Sequence, residues 1–218
     1  MIIPAYRENE ALVSLLKSLE NENGIEVIVS VDEGDEISID STTGFNVTLV
    51  KGLKGRGNQL SAGTEIAKGN VFLFCHADTI LPTGWKELVE KTLAEDGVAG
   101  GAFKLRFSSS QLRYKLLSYF ANLRVSFFNL IYGDQAIFSK RDTYFSIGGF
   151  KPLPLMEDVD FIRRLRKAGE IKVIKSPVIT SNRRYEKSGL IFGVVRNFIL
   201  ISLYFIGVSP GKLARWYR

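Results

Sequence analysis

The chain has 218 residues, 45% of them hydrophobic, with one cysteine and a net charge of +6 at pH 7. That length and apolar content suit one α/β domain with a full core, and they exclude general disorder and a disulfide framework. The charge calls for an anionic partner, yet there is no zinc-finger or helix-turn-helix spacing and no single-strand-binding signature, which argues against nucleic acid and leaves a diphosphate ligand or an anionic membrane surface.

The start, Met1-Ile2-Ile3-Pro4, has no basic leader and no cleavage pattern, so a cytoplasmic chain is expected. Residues 1–5 read as a short strand. Leu12, Leu15, Leu16 and Leu19 recur at helical spacing, which predicts a helix over 8–20. Asn23-Gly24 ends it. Residues 25–31 and 46–50 read as strands, and 57–67 as a helix with Gly69 beyond its end. The apolar run 70–75 reads as a buried strand that contains Cys75, an inert thiol, and Thr79-Ile80-Leu81-Pro82 halts it. This alternation predicts βαβ units and a mostly parallel sheet.

Past Pro82 the order changes. Residues 85–94 read as a helix and 98–107 as a strand. Residues 111–130 form a long, aromatic and basic helix, with Leu112, Leu116, Tyr119, Phe120, Leu123 and Phe127 on one broad face. A short strand over 135–139, a helix with a basic face over 158–167 and a last strand over 171–174 follow. The tail is nearly continuous apolar sequence from 190 to 208, interrupted by Arg196 and Asn197. It has about the length of a membrane span, roughly 20 residues. The interior Arg and Asn favour instead a helix packed on the domain or lying in a membrane interface. Lys212, Arg215 and Arg218, with Trp216 and Tyr217, resemble an interfacial anchor.

Polar clusters fall at the expected strand ends: Pro4 to Glu10 after the first, Asp32-Glu33-Gly34-Asp35 after the second, and His76-Ala77-Asp78 after the fourth. In a parallel sheet these lie along one edge, where open α/β sheets bind ligands. His76, the sole histidine, and Asp78 are two apart, so in extended chain both point the same way and can converge on one divalent cation. Asp78 suits a hard cation, Mg2+ or Mn2+, and the imidazole favours Mn2+. Asp32 is placed to accept hydrogen bonds from a base or ribose. Lys54, Arg56 and Asn58 precede a helix whose N-terminus favours phosphate. Gly52, Gly55 and Gly57 make that loop flexible. It is neither a Walker A loop nor G-x-G-x-x-G, since Leu60 takes the third position.

These residues resemble family 2 glycosyltransferases, which have the GT-A fold. The opening Pro4-Ala5-Tyr6-Arg7-Glu8-Asn9-Glu10 is similar to the family's P-x-x-N-E entry, and Val31-Asp32-Glu33-Gly34-Asp35 to its V-D-D-G-S segment. His76-Ala77-Asp78 stands where the D-x-D metal motif belongs, and Glu157-Asp158 resembles the E-D pair that supplies the catalytic base. The longer strings from Gly55 to Gly63, from Phe74 to Pro82 and from Leu153 to Asp160 resemble a small bacterial and archaeal subgroup with this His-Ala-Asp version. The likeness reaches Gly207-Val208-Ser209-Pro210. Two positions depart from the family pattern: His76 replaces the first Asp of D-x-D, and Asp35 replaces Ser.

The resemblance implies a GT-A, Rossmann-like, mostly parallel sheet flanked by helices with a C-terminal helical tail. Residues 1–188 would be the catalytic domain, with a nucleotide-sugar half over 1–107 and an acceptor half over 108–188, and 189–218 the tail. It implies inverting transfer from a nucleoside diphosphate sugar to a hydroxyl of a glycan, a lipid-linked or a small-molecule acceptor. Asp158 would be the base, favoured by a helix N-terminus. Asp78 and His76 would hold Mn2+ or Mg2+. Pro4, Tyr6, Glu8, Asp32, Lys54, Arg56, Asn58, Gln59 and Ala77 would line the donor side, and Asp134, Gln135 and Glu157 the acceptor side. A cytoplasmic enzyme, peripheral on the inner face of the cell membrane through its tail, is expected. A sugar nucleotidyltransferase and a non-catalytic nucleotide or glycan binder are the alternatives.

Overall fold

Nearly continuous apolar runs give the first strands two buried faces, and the sheet grows from them. The computed structural model describes residues 1–6, 9–34 and 47–217. Strand β1 (Ile2–Ala5) lies between β2 (Val27–Asp32) and β4 (Val71–Phe74), with β3 (Val47–Gly52) outside β2, and all four are parallel. The other half of the sheet contains β5 (Thr79–Ile80), β6 (Val98–Phe107), β7 (Ile137–Lys140) and β8 (Glu170–Thr180). Its order is β3-β2-β1-β4-β7-β6-β8-β5, with β7 and β5 antiparallel to their neighbours. The fold is the expected α/β architecture with a mostly parallel sheet.

Helices cover both faces. Ile3, Val29, Leu73 and Phe103 pack on one side against Leu12 and Leu16 of α1 (Asn9–Ser18), Val89 of α3 (Trp85–Leu93) and Tyr114 of α4 (Leu112–Phe128). Ile2, Ile28, Phe72 and Phe74 pack on the other against Leu60 of α2 (Arg56–Ile66), Tyr144 of α5 (Arg141–Ser146) and Phe161 of α6 (Glu157–Ala168). Tyr144 also fixes the approach to α6. Its hydroxyl accepts the Phe150 N–H at 3.0 Å and bonds Thr64 at 3.1 Å, and Phe150 stacks on Phe161 with centroids 4.3 Å apart. The chain closes with α7 (Arg183–Ser188), α8 (Leu190–Phe205) and α9 (Pro210–Tyr217). Among the described residues no helix is long and apolar enough to cross a membrane.

Three local expectations change. The last strand does not end at Ile174 but runs to Thr180, because Pro177 sits at a register shift opposite Lys104, where a missing ladder donor is tolerated. Thr79 and Ile80 do not merely halt a strand; they pair with Thr180 and Ile179 as β5. The apolar stripe of α4 is not its core face. Leu112, Leu116, Tyr119, Phe120 and Phe127 are exposed, whereas Tyr114, Ser118 and Val125 are buried and Asn122 reaches the sheet. The Asn122 amide bonds both the N–H and the carbonyl of Leu105, at 2.9 and 2.8 Å, and Ser118 accepts the Phe107 N–H at 3.1 Å. These bonds satisfy backbone groups of β6 that strand pairing leaves open.

Gly101 shows how closely β6 is packed. A Cβ there would meet the Lys172 carbonyl and lie 2.5 Å from the Phe138 ring. Gly101→Ala is expected to destabilise the fold by about 1–3 kcal/mol, since buried overpacking costs that much. Thermal unfolding checks it, and an unchanged melting temperature would show that the strands move apart freely.

Candidate active site

The carboxyl ends of the parallel strands meet the N-terminal turn of α6 around a cavity of about 180 Å³. Pro4 ends β1 there, His76 and Asp78 follow β4, Phe107 ends β6, and Thr180 and Ser181 end β8. Tyr132, Gly133 and Asp134 enter from the turn before β7, and Leu155 to Asp158 from the start of α6. Arg56 comes from the first position of α2.

Asp158 is held from two sides. Its Oδ2 accepts the Gly133 N–H at 2.7 Å, and its Oδ1 accepts the Val159 N–H at 2.7 Å. The preceding Met156 adopts a left-handed backbone, φ 65°, which turns the chain into the helix. That conformation costs an L-residue about 1–2 kcal/mol. Gly133 is required for close approach: a Cβ there would lie 2.9 Å from His76 Nε2 and 3.5 Å from Asp158 Oδ2. The imidazole and the carboxylate therefore flank the same glycine. Asp160 is committed elsewhere, bonded to Arg164 at 2.8 Å.

The electrostatics are those of opposed charges in a closed space. Glu157 is buried beside Asp158, and its carboxyl is raised above the usual range by burial and by that neighbour, although Arg56 lies 3.3 Å away. Burial opposes the Arg56 charge, but Glu157, Asp158, Tyr217 and Asp134 outweigh it and the guanidinium is raised. Burial, followed by Arg56 and Arg184, pushes His76 well below its ordinary value, so its imidazole is neutral. Burial raises Asp134; Arg124 opposes this and Asp158 adds to it. Asp134 Oδ1 has no hydrogen-bond partner among the described residues.

A neutral imidazole and a carboxylate are a fitting donor pair for a hard or borderline cation. Among the described residues no group of three or more His, Cys, Asp or Glu side chains is placed to hold a metal.

Some expected ligand-side residues do not face the cavity. Gln135 is fully buried, its amide spent on the Phe103 carbonyl at 3.0 Å and the Tyr132 N–H at 3.3 Å. Gln59 is buried and donates to the Ala5 carbonyl at 2.8 Å, which fixes the end of β1. The Ala77 methyl packs in the core. Asn58 donates to the Lys54 carbonyl at 2.8 Å, and Lys54 is exposed with its ammonium 5.6 Å from the Tyr6 ring centroid. Asp32 is buried at the end of β2, and its Oδ1 has no partner among the described residues. Glu8 and Asp35 lie outside the described residues. Gly57 does not serve flexibility: a Cβ there would collide with the Lys151 carbonyl, so the α2 start is pressed against the approach to α6.

Other lining residues carry no motif. Arg184 and Tyr185 of α7, Asn197 and Leu200 of α8, and Tyr217 of α9 close one side of the cavity. Arg184 Nη1 donates to the Tyr217 hydroxyl at 3.0 Å. Reading β8 through Pro177 would have brought Arg183-Arg184-Tyr185 to a strand end, where the rule that found His76 applies. The tail residues have no comparable local signal.

Residues 1–153 match the profile of glycosyl transferase family 2, and the chain belongs to that family. No curated protein matches it in sequence. Among solved structures it is similar to a mannosyltransferase from Pyrobaculum calidifontis, solved in complex with GDP-Man and Mn2+, at 21% identity and TM-score 0.60, over 83% of this chain and 55% of that one. It is also similar to a mycobacterial protein at 18% identity and TM-score 0.52, over 83% of this chain and 64% of that one. The chain thus spans between half and two thirds of the length of these neighbours.

A pH prediction follows from Asp134. Its folded value is raised above the ordinary aspartate value of 3.8, so the folded state binds more protons than the unfolded one. Its contribution to stability is therefore largest below 3.8 and is lost as pH rises through the folded value. Asp134→Asn is expected to raise the melting temperature at pH 7 and to have a smaller effect at the acid end. Melting curves across pH check this; a lower melting temperature at pH 7 would contradict it.

Proposed function

We propose that the chain transfers a sugar from a nucleoside diphosphate sugar to a hydroxyl acceptor with inversion at the anomeric carbon. The observation that carries this reading is the Asp158 carboxylate, fixed at the start of α6 and lining the same cavity as His76, Asp78 and Arg56. Family membership supports transfer chemistry, and the Pyrobaculum neighbour bound to GDP-Man and Mn2+ supports a nucleotide-sugar donor.

The residues divide the work. Asp158 accepts the acceptor's hydroxyl proton as oxygen attacks the anomeric carbon, and the bond to the diphosphate breaks on the opposite face. One backbone N–H holds each oxygen in place, and the remaining lone pairs are available to the acceptor. Arg56, kept charged by the acids around it, stabilises the departing diphosphate. His76 and Asp78 would hold Mn2+ or Mg2+. When bound, the cation neutralises charge on the diphosphate. Asp32, with its unpartnered oxygen, accepts from a nucleoside hydroxyl or base N–H, and Tyr6, Lys54 and Asn58 flank that side with Pro4. Glu8 belongs to the same donor side. Gln59 and Ala77 act through the backbone they support, and Gln135 through the turn that presents Gly133 and Asp134. Asp134 and Glu157 shape the acceptor side.

Asp158→Asn is expected to lower kcat by at least about a hundredfold while leaving donor affinity within a few fold, because the amide keeps the shape and loses the basicity. Release of free nucleoside diphosphate from nucleotide sugars measures turnover, and calorimetry measures binding. Near-native turnover in the Asn variant would place the base elsewhere.

Asp78→Ala is expected to abolish the metal-dependent part of nucleoside diphosphate binding in a folded protein. His76→Asp should retain that part and His76→Ala should lose most of it, since an aspartate can still ligate. Equal affinity with and without chelator for the native chain would overturn the metal assignment.

A further inference from the structure

We infer that α8 is a membrane-surface helix, laying its outer face into the boundary of an anionic bilayer beside the cavity. The sequence breaks the apolar tail with Arg196 and Asn197, but neither is among the exposed residues of α8. The Arg196 guanidinium lies 4.4 Å from the centroid of the Tyr217 ring on α9 and 5.6 Å from that of Phe192, at the edge of the outer face, and Asn197 lines the cavity. Leu200 and Ile201 are buried on the same inner side. Phe192, Val195, Phe198, Ile199, Phe205 and Ile206 all stay exposed. At 3.6 residues per turn the exposed positions of α8 cover an arc of roughly 160°. Ser202 is its sole polar side chain. Exposed apolar faces of this extent mark an interaction surface.

Charge chooses the occupant. Residues 187–218 hold five basic side chains and no Asp or Glu, and so do residues 97–133, which include α4. The rest of the chain, taken together, is net negative. Phe107 at the end of β6 contacts the rings of both Tyr114 on α4 and Tyr185 on α7, the helix just before α8. An exposed apolar helix face followed in the next helix by exposed Lys212, Arg215 and Trp216 has the composition of an interfacial segment that binds anionic lipid. A second copy docked face to face would bring two acid-free, basic flanks together, so their charges oppose that pairing. With 16 residues α8 is about 24 Å long, short of the hydrocarbon thickness, which suits lying on the surface.

The inner side of α8 forms part of the cavity wall, so the same helix touches lipid and site. Resting on the glycosyl-transfer reading, this sets the acceptor class: a hydroxyl carried by an amphipathic or lipid-linked molecule held at the bilayer boundary.

Flotation of the full chain with vesicles tests the surface independently of catalysis. The chain is expected to float with phosphatidylcholine vesicles containing phosphatidylglycerol at low salt, and much less with phosphatidylcholine alone or at high salt. Lys212→Glu with Arg215→Glu should lower partitioning at least about tenfold. Phe192→Ser with Phe198→Ser should lower it at least about a hundredfold with an unchanged melting temperature. Failure to float with a monomeric chain overturns the inference. So does light scattering that shows a dimer dispersed by the Phe variants, since a second copy would then cover the face. A chain that floats yet releases no diphosphate from any nucleotide sugar keeps the membrane surface and removes the transfer reading.

Discussion

The hydrogen bond from the Gly133 N–H to Asp158 Oδ2 is the constraint on which the site depends. It ties the turn before β7 to the first turn of α6, and the segment after β4 brings His76 against the same glycine. Because Gly133 has no Cβ, His76 Nε2 can stand where a side chain would otherwise be. One backbone donor thereby sets the spacing between His76 at the edge of the sheet and the Asp158 carboxylate. The contacts that surround it serve the same geometry. Tyr144 and Phe150 anchor the approach to α6, and Gly57 lets the start of α2 press against residue 151, so that Arg56 reaches Glu157.

This arrangement concentrates like charge. Asp134, Glu157 and Asp158 lie together with two guanidinium groups among them, and burial raises the first two carboxyls. Buried acids of this kind oppose folding at neutral pH and are retained where chemistry needs them. The neutral His76 fits the same logic, because an imidazole surrounded by arginines presents a lone pair instead of another positive charge. The cavity thus combines a neutral imidazole with buried acids and guanidinium groups in one closed space.

The tail shows how tertiary packing changes the meaning of a composition. Read linearly, Arg196 and Asn197 interrupt an apolar segment. Folded, neither is exposed on α8: one stacks on Tyr217 and the other lies at the cavity. The helix that closes the site and the helix that faces outward are the same element. A similar inversion occurs in α4, where polar side chains cap open backbone groups of β6 and the aromatic stripe faces out. Hydrophobic periodicity located both helices but did not say which side was buried, since an apolar stripe is compatible with a core or with an external surface.

The sequence by itself determined the alternating elements, the mostly parallel sheet and the strand ends that carry Pro4, Asp32, His76 and Asp78. A buried strand is legible as an apolar run, and the polar residues that follow it fall at the ligand-binding edge of the sheet. It also marked Glu157-Asp158 at a helix start, where acidic residues match the helix dipole. Only the tertiary structure decided that Gln59, Ala77 and Gln135 support the wall instead of lining it, since a buried amide and an exposed one look alike in a string of letters. It alone brought Gly133 to Asp158, Arg56 to Glu157 and Arg184 to Tyr217. Those pairs are separated by 25, 101 and 33 positions, and contacts across such distances leave no local periodicity to read.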